Sequence, residues 1–225
     1  MIPKIIFQTH EENYLDLEKY QKTNCETWLR LNPEYEYIYM GSREREYYVK
    51  KLCPELYELY KKCDGIYQSD IWRYAMLYNY GGVYSDMDSV CIKPLNGLFN
   101  YFPEHEVFIT SLEPNGNLNN SNFACIKNSL FLKLTIEAII KDYNNHLKGQ
   151  YYAPYLPVNT TFSDVLLQNP QKVNFTMRDF VMHCYTLKTT SWLLDQKHVS
   201  VNFNNNNLSF NDFFILYKNF LDKIE

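Results

Sequence analysis

Basic residues are not in excess in this 225-residue chain. Lys and Arg number 22 against 26 Asp and Glu, a net charge of −4. A nucleic-acid binder normally shows a basic face, so that class is disfavoured. No apolar run approaches the 18 or more residues of a membrane span. The N-terminal segment Met1-Ile2-Pro3-Lys4-Ile5-Ile6-Phe7-Gln8 has no charged leader followed by an apolar stretch. It reads as a domain opening on a strand and not as a signal peptide. The six cysteines are scattered with no C-x-x-C pair, which argues against a disulfide scaffold and for free thiols in a reducing compartment. Glycine is scarce, at seven residues, and two of the seven are adjacent at Gly81-Gly82.

What is abundant is tyrosine (21), phenylalanine (14) and asparagine, including the run Asn204 to Asn207. AT-rich codons account for this bias without a functional role. Apolar residues run from end to end, which excludes a disordered chain.

Residues 4–8 predict a buried strand, 12–31 a helix closed by Asn32-Pro33, and 35–40 a second strand. Residues 42–52 and 55–63 predict two charged surface helices broken at Pro54. A stronger helix is expected over 66–80, ended by Gly81-Gly82, with a strand from Val83 to Asp88. Further strands are expected over 106–112 and 122–127, helices over 130–143 and 160–168, and a loop over 144–157. Strand and helix alternate, so the class is α/β. There is no repeat, linker or composition break, so residues 1–225 predict a single domain. Phe210, Phe213, Phe214, Tyr217, Phe220, Leu221 and Ile224 share one face of an expected amphipathic helix over 209–224. That face suits docking on the core or, alternatively, a peripheral membrane or partner contact.

The chemistry concentrates in Ser69-Asp70-Ile71-Trp72-Arg73 and Gly81-Gly82-Val83-Tyr84-Ser85-Asp86-Met87-Asp88. On a strand, Asp86 and Asp88 would share a face. Two adjacent carboxylates repel and are costly to bury unpaired, and a hard divalent cation resolves that. Asp70 and Arg73 share a helix face, and the Gly-Gly turn folds that helix back toward the carboxylates. Either pair alone is commonplace; the combination at a sheet edge predicts a metal–diphosphate site.

The run from Ser69 to Asp88 resembles the signature of glycosyltransferase family 32, the D-x-D sugar-binding-region transferases. That family is related to the yeast initiating α-1,6-mannosyltransferase and the large clostridial glucosylating toxins. Ile2 to Gln8 resembles its opening I-P-K-x-I-H-Q strand. His183 with Ser191-Trp192 resembles its closing H…S-W motif. The resemblance implies a GT-A fold, with a mixed central sheet flanked by helices. It implies a UDP- or GDP-hexose donor, a carbohydrate or protein acceptor, Mn²⁺ or Mg²⁺, and retention of anomeric configuration. Carried over, Asp88, Asp86 and His183 would hold the metal, and Asp70, Arg73 and Asp86 would contact the donor sugar or ribose. Ser191 and Trp192 would close over the diphosphate, while Gln8, Thr9 and His10 would line the base pocket. Asp86, Asp88, Arg73 and Trp192 form the expected catalytic set. Phe7 stands where the family has His, and Thr9-His10 where it has Ile-Trp.

Two other classes remain open. A haloacid-dehalogenase-type phosphatase also uses a D-x-D after a strand, but on its first strand, whereas here it begins at residue 86, and no later Asp-Asp pair follows. A non-catalytic nucleotide-sugar-binding module would leave expected positions vacant, and all are filled. A soluble cytoplasmic enzyme of a bacterium or virus is the expected setting.

Overall fold

The computed structural model describes residues 1–91, 94–100, 106–109, 120–147, 164–165, 169, 175–177, 181–186, 189–194 and 197–202, the last four segments as backbone. The chain opens with β1 (Ile5–Thr9), helix α1 (Lys19–Leu31) and β2 (Glu36–Met40), followed by α2 (Ser42–Leu52), a short α3 (Tyr57–Tyr60) and α4 (Gly65–Tyr80). Strands β3 (Gly82–Ser85) and β4 (Ser89–Cys91) precede α5 (Leu95–Asn100), β5 (Val107–Ile109), β6 (Asn122–Cys125) and α6 (Leu130–Leu147). Four strands follow: β7 (Phe175–Met177), β8 (Val181–Thr186), β9 (Thr189–Leu194) and β10 (Lys197–Asn202).

Among the described residues there are two sheets. The larger has the order β2-β1-β3-β6-β5-β7, the smaller β10-β9-β8-β4. β1 pairs in parallel with both β2 and β3, whereas β6 runs antiparallel to β3. The large sheet is therefore mixed, as expected. Alternation divides its side chains between two cores. Phe7, Tyr84, Phe123 and Val107 face α2, α4 and α6, while Ile6, Val83, Ala124 and Phe108 face Trp28 of α1 and Leu95 and Phe99 of α5. Each such fully buried large side chain contributes roughly 1.5–3 kcal/mol.

Helix α4 departs from the amphipathic pattern because it is wrapped. All residues from Asp70 to Leu77 are buried. A helix covered on every side cannot keep one polar stripe, so any polar group on it needs an internal partner. The Asp64 side chain caps its start by accepting from the Tyr67 amide. Gly81, at φ +68°, ends it, and its N–H bonds the Leu77 carbonyl at 2.8 Å.

Several expectations change. Helix 12–31 begins only at Lys19, after a 3-10 turn over Tyr14–Asp16. The second charged helix reduces to a 3-10 turn and Tyr57–Tyr60, and α2 is not purely superficial, since it buries Arg45 and Val49. Helix α6 continues to Leu147, into the stretch expected as loop, because Ile139 and Tyr143 carry its apolar face onward. The strand expected to run to Asp88 stops at Ser85, and Asp86 to Ser89 is a turn closed by the Ser89 N–H on the Asp86 carbonyl, 3.1 Å. The chain leaves one sheet there and joins the other. The helix expected over 160–168 falls mostly, and the one over 209–224 wholly, outside the described residues.

Candidate active site

The strand order reverses beside β1, with β2 on one flank and β3 on the other. Open α/β sheets bind ligands at the carboxyl ends of the strands at such a point. A cavity of about 660 Å³ opens there. One wall carries Thr9, His10 and Glu11 from the end of β1, with Arg45 of α2. Another carries Asp64, Gly65, Ile66, Ser69 and Arg73 from α4, and a third Tyr84, Asp86, Met87 and Asp88.

Arg73 is the hub. Its Nη2 lies 3.0 Å from Asp70 Oδ1 and 3.1 Å from Asp86 Oδ1. Its Nη1 donates to the Asn120 carbonyl at 2.7 Å, and its guanidinium lies over the Tyr84 ring, 4.2 Å from the centroid. The Tyr84 hydroxyl donates to Asp86 Oδ1. Asn120 returns the contact, its Nδ2 donating to Asp70 Oδ1 at 3.1 Å and to the Tyr74 hydroxyl at 2.7 Å. Asp86 is also fixed through its backbone. Its N–H donates to the Ser121 carbonyl, and its carbonyl accepts from Gln8 Nε2.

Asp70, Asp86 and Asp88 are three carboxylates gathered around one guanidinium, so burial and mutual repulsion oppose their ionisation. Burial, and then the Asp86 charge, push the Asp88 carboxyl up to about 7. Burial and the Asp86 charge raise Asp70 to about 6 against the opposing pull of Arg73. A dication would relieve that repulsion, and hard carboxylate oxygens suit Mg²⁺ or Mn²⁺. No group of three or more His, Cys, Asp or Glu forms a ready-made cage among the described residues. Such an ion would complete its coordination with ligand oxygens and water, as Mg²⁺-like ions do at phosphates.

The structure brings Thr9, His10, Arg73, Asp86 and Asp88 to the cavity. Asp70 and Gln8 are buried and do not line it. Gln8 is a brace, bonded to the Asp86 carbonyl and accepting from the Tyr37 hydroxyl at 2.7 Å. The shared carboxylate face expected of a strand is replaced by the Asp86–Ser89 turn. His183 pairs in register with Ser89, next to Asp88, and Ser191 pairs with His183. Trp192 pairs with Val199 on the far edge of β9, and the side chains of all three lie outside the described residues.

Sequence reasoning missed Asn120, Glu11, Arg45 and the role of Tyr84. Asn120 carries no local signal, because its partners Asp70 and Arg73 lie on a helix some fifty positions earlier. Tyr84 did carry one: an aromatic residue two positions before Asp86.

Comparison with known proteins agrees with this geometry. Residues 18–109 match the glycosyltransferase sugar-binding region containing a DXD motif. A mannosyl phosphorylinositol ceramide synthase of Saccharomyces cerevisiae is 28% identical over 246 residues, covering 98% of this chain and 61% of that protein. An inositol phosphoceramide mannosyltransferase of Schizosaccharomyces pombe is 29% identical over 160 residues, 70% of this chain and 41% of the relative. An uncharacterized glycosyltransferase of Acanthamoeba polyphaga mimivirus is 34% identical over 113 residues, 48% and 45% of the two chains. The chain thus spans 39–61% of the length of the first curated relatives it matches. Among solved structures, the UDP-bound glycosyltransferase domain of the YGT toxin superposes with a TM-score of 0.56 at 8% identity, over 80% of each chain. The PaToxG glycosyltransferase gives 0.52 at 19% identity, over 74% of this chain and 69% of that one. These likenesses establish the GT-A fold.

The expectation of a soluble cytoplasmic protein does not stand. The yeast relatives are named for mannosyl transfer to inositol phosphoceramide, a membrane lipid, which is at odds with a cytoplasmic, soluble setting. No helix among the described residues is long and apolar enough to cross a membrane, and this does not restore that expectation.

Proposed function

Residues 18–109 match the glycosyltransferase sugar-binding region containing a DXD motif, and from that match we propose that the chain is a retaining, divalent-metal-dependent hexosyltransferase of this family. One observation carries the proposal. Asp86 and Asp88 border a cavity of about 660 Å³, where burial and the neighbouring Asp86 charge oppose ionisation of Asp88. Mn²⁺ or Mg²⁺ held by Asp88 and Asp86 would neutralise charge on the leaving nucleoside diphosphate. His183, in register beside this turn, is the third candidate ligand and would tilt the choice toward Mn²⁺.

The chain's own residues do the positioning. Arg73 and the Tyr84 hydroxyl grip Asp86 Oδ1 and leave its other oxygen for a ligand. Asp70 acts through Arg73, fixing the guanidinium that borders the donor hexose. Thr9 and His10 line the cavity and would face the nucleoside, and the family resemblance would bring Ser191 and Trp192 to the diphosphate. No protein base is assigned to the acceptor. Of the cavity's other carboxylates, Glu11 pairs with Arg45 and Asp64 caps α4. Downstream, Glu106 accepts from Ser129 and the Phe131 amide. A front-face route needs no such base, because the leaving diphosphate oxygen takes the acceptor's proton. The relatives' names favour a mannosyl donor and an inositol-phosphate-bearing acceptor.

Thermal shift with a panel of GDP- and UDP-hexoses, with and without Mn²⁺, tests this. A ligand at about 100 times its Kd adds about 2.7 kcal/mol of stability. At least one donor should raise Tm only with Mn²⁺, and Asp88→Asn should remove that rise. A panel without any Mn²⁺-linked shift would refute the proposal.

A further inference from the structure

Helix α1 stands beside the D-x-D turn and β4, at the edge of the small sheet not paired with β8. An uncovered strand edge leaves every second residue's N–H and C=O without partners. Here side chains of α1 supply them. Asn24 Nδ2 donates to the Met87 carbonyl at 2.9 Å. Trp28 Nε1 donates to the Ser89 carbonyl at 3.1 Å. Thr27 Oγ1 accepts from the Cys91 N–H at 2.9 Å.

Asn24, Thr27 and Trp28, three and four apart, share one face of α1, and that face meets the turn and β4. All three α1 side chains are buried, at 0–1% exposure, so water does not replace these bonds. The Met87 side chain is seated as well, against Cys25 and Leu17.

Asp88 is the residue between the two captured carbonyls. We propose that Asn24 and Trp28 are positioning residues that fix the backbone on both sides of Asp88 and thereby set the affinity of the site for its divalent ion. This rests on the metal-dependent transferase reading above. Partners that orient a metal ligand typically govern metal affinity by 10–100-fold.

The test is Mn²⁺ binding by the whole chain in saturating GDP or UDP, followed by the EPR signal of free Mn²⁺. Asn24→Leu keeps the side-chain volume and removes the donor. Trp28→Phe keeps a ring and removes the donor. Thr27→Val removes the bond to Cys91, beyond the turn, and is the structural control. The two donor-less variants should each weaken Mn²⁺ binding about tenfold, while Thr27→Val stays within twofold of wild type. Asn24→Gln, which retains a donor, should recover part of the loss.

If Asn24→Leu does not fold, Trp28→Phe decides alone. Wild-type Mn²⁺ affinity in the donor-less variants, or an equal loss in Thr27→Val, would overturn the proposal. A wild-type chain that binds no Mn²⁺ with either nucleotide would overturn the transferase reading and this inference with it.

Discussion

Asp70 is held at about 6 chiefly by burial, with Arg73 only partly offsetting it. Between about pH 4 and pH 6 the folded chain keeps a proton here that the unfolded chain has released. Stability from this group therefore falls as pH rises through that window. Asp70→Asn removes the charge and keeps an oxygen for Arg73 and Asn120. Its Tm at pH 7 should equal or exceed that of wild type, with a flatter profile between pH 4 and 6, while donor affinity falls about tenfold. A Tm several degrees below wild type at pH 7 would show that the Arg73 pair outweighs the burial cost. The thiols give a second residue-level outcome. Burial raises Cys25 and Cys53 to about 11, and Cys125 is raised further. Cys63 is raised to about 11 as well, so exposure decides: iodoacetamide at pH 8 should modify the partly exposed Cys63 before these three in the native chain, as read by peptide mass spectrometry. That Asp86, Asp88 and Arg73 meet at one cavity was legible because carboxylates beside a Gly-Gly helix stop have few structural uses. Asn120 was not, since its role exists only once β6 lies against α4.

At the scale of elements, the Gly81-Gly82 pair decides how α4 enters the sheet. Gly82 has φ +109°, and a Cβ there would stand 2.6 Å from the Ile5 carbonyl oxygen. That close approach is the β1–β3 pairing itself. Gly82→Ala should cost about 2 kcal/mol or more in urea unfolding, with an unchanged m-value. A loss under about 0.5 kcal/mol would mean that the strand pairing relaxes freely. Elements with a strong period or a clear stop were legible in advance: β1, β2, α4 and α6 lie within a few residues of expectation. The D-x-D segment was misread as strand because alternation in sequence does not reveal a chain changing sheets. Strands β7 to β10 were not anticipated either. Their segments carry mixed polar and apolar residues, and long-range pairing, not local pattern, makes them strands.

At the scale of the whole molecule, the mixed sheet carries Arg73, Asp86 and Asp88 to one cavity, and α1 braces the turn that bears the carboxylates. Front-face transfer then predicts that an α-linked donor gives an α-linked product, checked by the anomeric coupling in proton NMR; a β-linked product would exclude the retaining mechanism. The central claim is metal-dependent cleavage of a nucleotide-sugar at Asp88. It is tested most directly by nucleoside diphosphate release from GDP- and UDP-hexoses with Mn²⁺, comparing wild type, wild type with EDTA, and folded Asp88→Asn. At least one donor should be turned over by wild type, with loss of about 100-fold or more in the other two. Turnover that survives both EDTA and Asp88→Asn, or no turnover of any donor, would contradict it.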